Sequence, residues 1–158
     1  MKSFQVDAFG IYDRQWGLVT AGSVKDYNTM TISWGGLGTL WGKPVVTVYV
    51  KPIRYTYHYL NNNDYFTVSF YPNKFRGDLG ILGSKSGRDG DKVALTKLHV
   101  KAVDQSVTFK EAEVTLLCKK IYWQDLVREN MPEEVVEQVY SREEPHRMYI
   151  GEVIDIIR

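Results

Sequence analysis

The residues best suited to chemistry lie within residues 28–54. A hydroxyl-bearing segment, residues 29–34, ends in a tryptophan and runs into the glycine-rich residues 35–42. A strand-like run at residues 44–51 then ends in Lys51, with Arg54 close behind. Hydroxyls, unhindered backbone N–H groups, an aromatic ring and positive charge together suit a flat ligand that carries an anionic group.

Two polar segments could hold the anionic part of such a ligand. Lys51, Arg54 and Thr56 offer charge and a hydroxyl where a predicted strand ends and a predicted helix begins. Residues 84–87 add two hydroxyls, an ammonium group and a glycine that lets successive N–H groups converge. Each segment alone is more often a solvated loop, but the two together with the hydroxyl-bearing strand favour an anion site.

Known nucleotide-binding motifs are absent from the sequence. Gly36-x-Gly38 is followed by Trp41, so the Gly-x-Gly-x-x-Gly spacing fails, and no Gly-Lys-Ser/Thr phosphate loop occurs. On this evidence residues 35–42 could equally be a flexible loop. We expect this loop to border the flat ligand and to control access to it.

Nucleophilic catalysis has little support. Ser33 and Ser69 lack a Gly-x-Ser-x-Gly elbow, and Cys118 alternates into an apolar strand position. His146 directly precedes the last predicted strand, where a strand end could place it beside a ligand, whereas the other two histidines are expected to be structural or solvated. Any chemistry is therefore expected to be carried by a cofactor.

Length and composition narrow the class of protein. The 158 residues predict a single domain, 1–158, with residues 1–17 as an N-terminal arm. A net charge of +1 gives no reason to expect nucleic acid or a membrane surface as partner, and the Cys/His spacing predicts no metal site. One cysteine, no apolar leader and no apolar run of about 20 residues favour a cytoplasmic protein.

The hydrophobic pattern predicts a mainly β fold. Period-2 alternation and β-branched residues mark six or so strands, with short helices between them, which favours a six-stranded antiparallel barrel with peripheral helices. The strands are expected at residues 18–23, 29–34, 44–51, 65–71, 111–123 and 148–157, and the helices at 54–61, at 73–82 and from Pro132. Weaker signals suggest helical turns at residues 92–98 and strand at residues 100–109.

Five blocks, in order, resemble the flavin reductase-like proteins of the FMN-binding split barrel. They are residues 28–34, 43–56, 65–70 and 86–92, followed by His146 with residues 150–153. The resemblance implies a homodimer of six-stranded split barrels, each holding FMN non-covalently near the subunit interface. Residues 54–59, rich in tyrosine, and residues 36–41 depart from the family pattern and would crowd the open side of the flavin.

The resemblance also assigns site residues. His146 matches the histidine near the reactive face of the flavin, and the remaining matches divide between the ring and the phosphate. Thr31, Ile32, Ser33 and Trp34 would line the isoalloxazine, while Lys51, Pro52, Arg54, Thr56, Ser84, Lys85, Ser86 and Gly87 would face the phosphate.

Three functions follow as hypotheses. The first is an NAD(P)H-dependent flavin reductase or related oxidoreductase, in which a hydride passes to FMN N5 and then to free flavin, oxygen or a partner protein. The second is an FMN-carrying electron-transfer or flavin-binding protein without NADH or NADPH turnover of its own. The third is a split barrel that binds no flavin and serves as an interaction module.

Overall fold

The computed structural model describes residues 2–158 as mainly β structure with short helices. Seven strands form one antiparallel sheet in the order β2-β1-β5-β8-β9-β4-β3, and β6 pairs with β7 in a separate hairpin. The strands are β1 (Gly17–Ser23), β2 (Asp26–Ile32), β3 (Gly35–Leu40), β4 (Lys43–Val50), β5 (Tyr65–Phe70), β6 (Val100–Val103), β7 (Ser106–Phe109), β8 (Val114–Asp125) and β9 (Arg147–Ile157). The helices are α1 (Tyr55–Asn62), α2 (Arg76–Ser84) and α3 (Glu133–Val139).

The larger hydrophobic cluster lies against one face of the large sheet, and a smaller one includes Leu18 of β1, which points to the other face. In β4 the buried side chains of Val46, Val48 and Val50 alternate with partly exposed Thr47 and Tyr49, because successive strand residues point to opposite faces. Buried residues of β1, β2, β5, β8 and β9 join the same cluster. The expected antiparallel, mainly β architecture is confirmed.

The large sheet has seven strands and not the six expected, because the glycine-rich stretch is a strand and not a loop. Gly35–Leu40 pairs antiparallel with Lys43–Val50, and Trp41 and Gly42 form the connecting turn with φ angles of 53° and 70°. Two consecutive positive φ angles are typical of the tight turns that suit β-hairpins. Hydrogen bonds to a strongly β-forming partner strand outweigh the poor strand propensity of glycine.

The short elements depart from expectation mainly at their ends. A 3₁₀ turn at Asn73–Phe75 precedes α2, and the expected turns at residues 92–98 reduce to one 3₁₀ turn at Val93–Leu95. The weak strand signal at residues 100–109 corresponds to the β6–β7 hairpin. Within residues 2–158, no helix has the length and apolar character needed to cross a bilayer.

The N-terminal segment covers one end of the core. A single π-helical turn at Ile11–Gln15 buries Ile11 and Tyr12, which join the main hydrophobic cluster. A Cβ on Gly35 would lie 2.6 Å from the Tyr12 ring, so the glycine is what allows this ring to approach β3.

Candidate functional site

A cleft of about 280 Å³ lies where β2, the start of α1 and the loop after α2 meet. We call it the anion cleft. It joins two segments that the sequence analysis selected separately, Arg54 with Thr56 and residues 84–87, and adds several neighbours. Its polar or charged lining residues are Asn28, Arg54, Thr56, Ser84, Lys85, Ser86, Arg88, Lys92 and Glu143, and Gly87 also lines it.

Arg54 joins the two sides of the anion cleft. The chain turns sharply after β4, with the Arg54 N–H donating to the Lys51 carbonyl oxygen at 3.0 Å, and Pro52 lies inside this turn. Arg54 then directly precedes α1, and its Nη2 donates to the carbonyl oxygen of Gly83 in α2 at 3.0 Å. The guanidinium is therefore held between two helices and keeps further N–H donors for a ligand.

A buried polar pair forms the floor of the cleft. Asn28 Nδ2 donates to Thr56 Oγ1 at 2.8 Å, and both side chains are buried. A Cβ on Gly87 would lie 2.1 Å from Asn28 Oδ1 and 3.0 Å from the Tyr55 ring. Only glycine therefore fits where the loop after α2 crosses β2, and backbone can approach a ligand closely there.

Lys92 is a buried cation beside this floor. Its Nζ donates to the carbonyl oxygens of Leu82 at 2.9 Å and Lys85 at 3.1 Å, which occupies two of its three donors. Burial, and secondarily the charge of Arg54, lowers the pKa of Lys92 to about 8. The sequence analysis gave neither Asn28 nor Lys92 a role. Their positions inside two of the blocks that resemble the family were the one signal that could have identified them.

Lys51 does not face the anion cleft as expected. Its Nζ bonds to Glu143 Oε2 at 2.7 Å and to the carbonyl oxygen of Val139 at 3.2 Å, and lies 5.4 Å from the centre of the Tyr140 ring. The bond from Lys51 lowers the pKa of Glu143. Lys51 is thus paired with the segment that leads into β9. Arg54 and Lys92 are better placed to donate hydrogen bonds to an anion in the cleft.

The residues predicted to line a flat ring have different environments. The Thr31 hydroxyl donates to the Leu79 carbonyl oxygen, and the Ile32 side chain is buried in the core. Both therefore offer a ligand mainly their backbone. Ser33 is partly exposed, and the Trp34 side chain is 51% exposed with its ring centre 5.2 Å from that of His146. Folding thus brings the predicted indole and the predicted histidine together.

His146 is a neutral, nearly buried ring. Only 9% of the residue is exposed, and burial followed by the charge of Lys51 lowers its pKa to about 4. The Tyr140 hydroxyl lies 2.7 Å from Nδ1, and burial raises the pKa of this hydroxyl, so it stays protonated. We assign the imidazole proton to Nε2, because Nδ1 accepts the hydroxyl hydrogen of Tyr140.

The arrangement consists of the anion cleft and, separately, the Trp34–His146 pair, and the charges of Glu143 and Arg54 both act on the pKa of His146. The anion cleft supplies four cationic side chains, buried amide and hydroxyl groups and a glycine-containing loop, which is the donor set that a phosphate requires. The Trp34 and His146 rings, inclined at 55° to each other, supply aromatic surface and one N–H donor. A phosphate suits the donors of the cleft, and a planar ring system suits the Trp34–His146 pair.

Comparison with protein families agrees with this chemistry. The model of the flavin reductase like domain matches residues 9–157, nearly the whole chain. No curated protein matches the chain significantly.

Solved structures share the fold at low sequence identity, and 55 chains match. The flavoredoxin of Methanosarcina acetivorans has a TM-score of 0.71 at 19% identity, covering 99% of this chain and 75% of its own. The FMN-binding protein of Thermus thermophilus with bound 1-cyclohex-2-enone has a TM-score of 0.72 at 18% identity, covering 100% of this chain and 80% of its own. The styrene monooxygenase flavin reductase of Pseudomonas putida S12 has a TM-score of 0.66 at 14% identity, covering 90% and 78%.

Proposed function

The chain belongs to the flavin reductase-like domain family, and from this premise we propose that it binds FMN non-covalently and catalyses NADH- or NADPH-dependent reduction of that flavin. The observation that carries the proposal is the joining of Arg54, the Thr56–Asn28 pair and residues 84–87 in one cleft, and the separate contact of Trp34 with His146 supports it. The electron acceptor would be a free flavin, oxygen, another small molecule or a partner protein.

The phosphate of FMN would bind in the anion cleft. Arg54 and Lys92 would provide charge-assisted donors, and the Ser84 and Ser86 hydroxyls and the backbone near Gly87 would provide neutral donors. Arg54 is already oriented by its bond to the Gly83 carbonyl oxygen, so little side-chain freedom is lost on binding. Lys51 would not contact the phosphate directly. It would act on the site through Glu143, which lines the cleft and precedes β9.

The isoalloxazine would lie at the Trp34 and His146 end. When bound, FMN supplies the hydride acceptor of the reaction, and the chain supplies binding, orientation and electrostatics. The backbone of residues 31–33 would offer hydrogen bonds to the polar edge of the ring, since the Thr31 hydroxyl and the Ile32 side chain are engaged elsewhere. Neutral His146 would act as an Nε2–H donor and not as an acid, because its pKa is far below neutrality.

A second candidate function is electron transfer by bound FMN without NADH or NADPH turnover. Trp34 packs against His146 with ring centres 5.2 Å apart, and this contact would narrow the space for a nicotinamide over a flavin bound beside it. One of the similar structures is named a flavoredoxin, and another an FMN-binding protein, in keeping with this alternative.

The proposal includes a homodimer. Trp41, Tyr122 and Trp123 are exposed at 64%, 38% and 51%, and the first two pack edge to face at 6.2 Å. Exposed clustered aromatic rings are typical of protein interfaces and costly to leave in water. The proposal also places the protein in the cytoplasm, where its one cysteine stays reduced.

A visible spectrum of the purified protein tests the function. Oxidised-flavin peaks that bleach without air on addition of NADH or NADPH are the expected result. Bleaching by dithionite alone would select the electron-transfer function. A colourless protein that takes up no added FMN would overturn both.

Arg54→Ala tests the assignment of the phosphate end. We expect FMN affinity to fall by about tenfold to a hundredfold, the size of one charge-assisted hydrogen bond. Arg158→Ala is the matched control, because it removes the same charge from a residue whose bond goes to the Ser3 carbonyl oxygen, outside the cleft. Unchanged FMN affinity in Arg54→Ala would remove Arg54 from the site.

A further inference from the structure

One acidic side chain lines the anion cleft among its cations. Glu143 lies in the segment that connects β8 to β9, residues 126–146, and is among the residues that line the cleft. A phosphate needs positive charge and hydrogen-bond donors, and an ionised carboxylate supplies neither. The place of Glu143 in a cleft that suits phosphate therefore needs an explanation of its own.

The Glu143 carboxylate is paired with the cations that the sequence analysis assigned to a phosphate. Its Oε2 accepts a hydrogen bond from Lys51 Nζ at 2.7 Å. This bond, followed by the charge of Lys51 and then that of Arg54, lowers the pKa of Glu143, so the carboxylate is ionised at neutral pH. Glu143 thus supplies, from within the chain, a negative charge to the two cations expected to attract phosphate.

The segment that carries Glu143 is lightly attached to the barrel. Among residues 127–144 only Tyr140 is buried, and α3 buries no side chain. In the part of the chain that the structure describes, and apart from the Tyr140 hydroxyl bond given above, two hydrogen bonds join these residues to the rest of the protein. Both come from Lys51 Nζ, one to Glu143 and one to the Val139 carbonyl oxygen at 3.2 Å. A segment with so few buried contacts moves at low cost.

We propose that Glu143 is an internal competitor of phosphate for the anion cleft. Before a flavin binds, the carboxylate is held by Lys51 and occupies the cleft beside Arg54. When the phosphate of the flavin enters, Glu143 turns away from Lys51 and out of the cleft, and Lys51 keeps its bond to the Val139 carbonyl oxygen. The inference rests on the proposed function, because the competing phosphate is that of the bound flavin.

The first test compares FMN with riboflavin, which lacks the phosphate. The full chain, freed of flavin, and its Glu143→Gln variant are titrated with each flavin by calorimetry. We expect a Kd for FMN at least about threefold lower in Glu143→Gln, because a negative charge has left the cleft, and an unchanged Kd for riboflavin. Glu144→Gln is the matched control and should change neither Kd, since Glu144 lies outside the lining of the cleft and its side chain is 76% exposed.

The outcomes of this test separate the inference from the proposed function. A Kd for FMN that is unchanged or higher in Glu143→Gln would overturn the inference and leave the function intact. Equal gains for FMN and riboflavin would also overturn it, because the effect would then not concern the phosphate. Failure of both flavins to bind the wild-type protein would overturn the proposed function itself.

Zero-length cross-linking tests whether the carboxylate moves. A carbodiimide joins an ammonium group to a carboxylate in contact with it, so it should join Lys51 to Glu143 in the protein without flavin. We expect saturating FMN to lower the yield of this cross-link, measured by mass spectrometry of the joined peptides, by about threefold or more, and riboflavin to leave it unchanged. An equal yield with the two flavins would show that Glu143 stays beside Lys51 and would overturn the exchange.

Discussion

We predict that Lys92 makes the affinity for the proposed flavin depend on pH, in a direction that the burial of Lys92 determines. Burial lowers the pKa of Lys92 to about 8 in the free protein, with Arg54 adding to the effect. A phosphate dianion beside the ammonium group favours its charged form and raises that pKa. Binding above pH 8 therefore takes up a proton, and affinity falls as pH rises.

The size of this effect follows from the two pKa values. If the bound flavin restores Lys92 to its ordinary pKa of 10.5, the affinity loses about a factor of two between pH 7 and pH 8. By pH 9 the loss reaches about tenfold, or about 1.4 kcal/mol, since one pKa unit corresponds to that free energy. The phosphate monoester of FMN has a second pKa of about 6 and is therefore mostly a dianion between pH 7 and pH 9.

The assay is the Kd for FMN measured from pH 7 to pH 9 at constant ionic strength. Lys92→Arg keeps its charge throughout this range, so its affinity should not vary with pH. Lys92→Met should bind more weakly by about 1.5–3 kcal/mol, the worth of a hydrogen bond to a charged group, and should also be independent of pH. Wild-type protein with constant affinity, or Lys92→Arg with the wild-type slope, would refute the reasoning.

Three further variants test the packing around the site. Gly151→Ala should lower the free energy of unfolding by about 1–3 kcal/mol in urea titrations, because its Cβ would lie 2.6 Å from the Phe66 ring. Gly87→Ala should weaken FMN binding by about tenfold, since its Cβ would displace the Asn28 side chain. Tyr140→Phe should leave His146 Nδ1 without its donor, and ¹⁵N NMR of the ring should then report both neutral tautomers.

Matched controls separate these effects from general damage. Gly80→Ala in α2 meets no atom within 4 Å and should raise stability by about 0.5–1 kcal/mol. Tyr122→Phe removes an exposed hydroxyl bonded to Gln124 and should leave the His146 spectrum unchanged. The packing argument would be contradicted if Gly80→Ala lost as much stability as Gly151→Ala. It would also be contradicted if Tyr122→Phe changed the ¹⁵N NMR spectrum of His146.

Local sequence was sufficient for the strongest strands and for the polar segments of the site. The alternation of residues 44–51 and the β-branched side chains in it predict a half-buried strand, because strand periodicity needs no knowledge of the partner. Arg54, Thr56 and residues 84–87 were identifiable by residue type alone, since charge, hydroxyl groups and glycine are what an anion needs.

The glycine-rich residues 35–40 show where local reasoning fails. Their propensity predicts a loop, yet the ladder to β4 and the Trp41–Gly42 turn make them a strand. Strand pairing is a tertiary property, because the hydrogen bonds that stabilise an edge strand are made with another part of the chain.

The details of the site were decided in the same way. Lys51 has the charge that a phosphate needs. Its ammonium group, however, is bonded to Glu143, 92 residues further along the chain, and does not line the cleft. Lys92 has no distinguishing local sequence, yet its burial beside Arg54 makes it the group that titrates near pH 8. The sequence by itself therefore determined the fold class, the family resemblance and the chemical types of the residues in the candidate site. Only tertiary structure decided which cations face the cleft and how they titrate, because partners and burial come from distant segments.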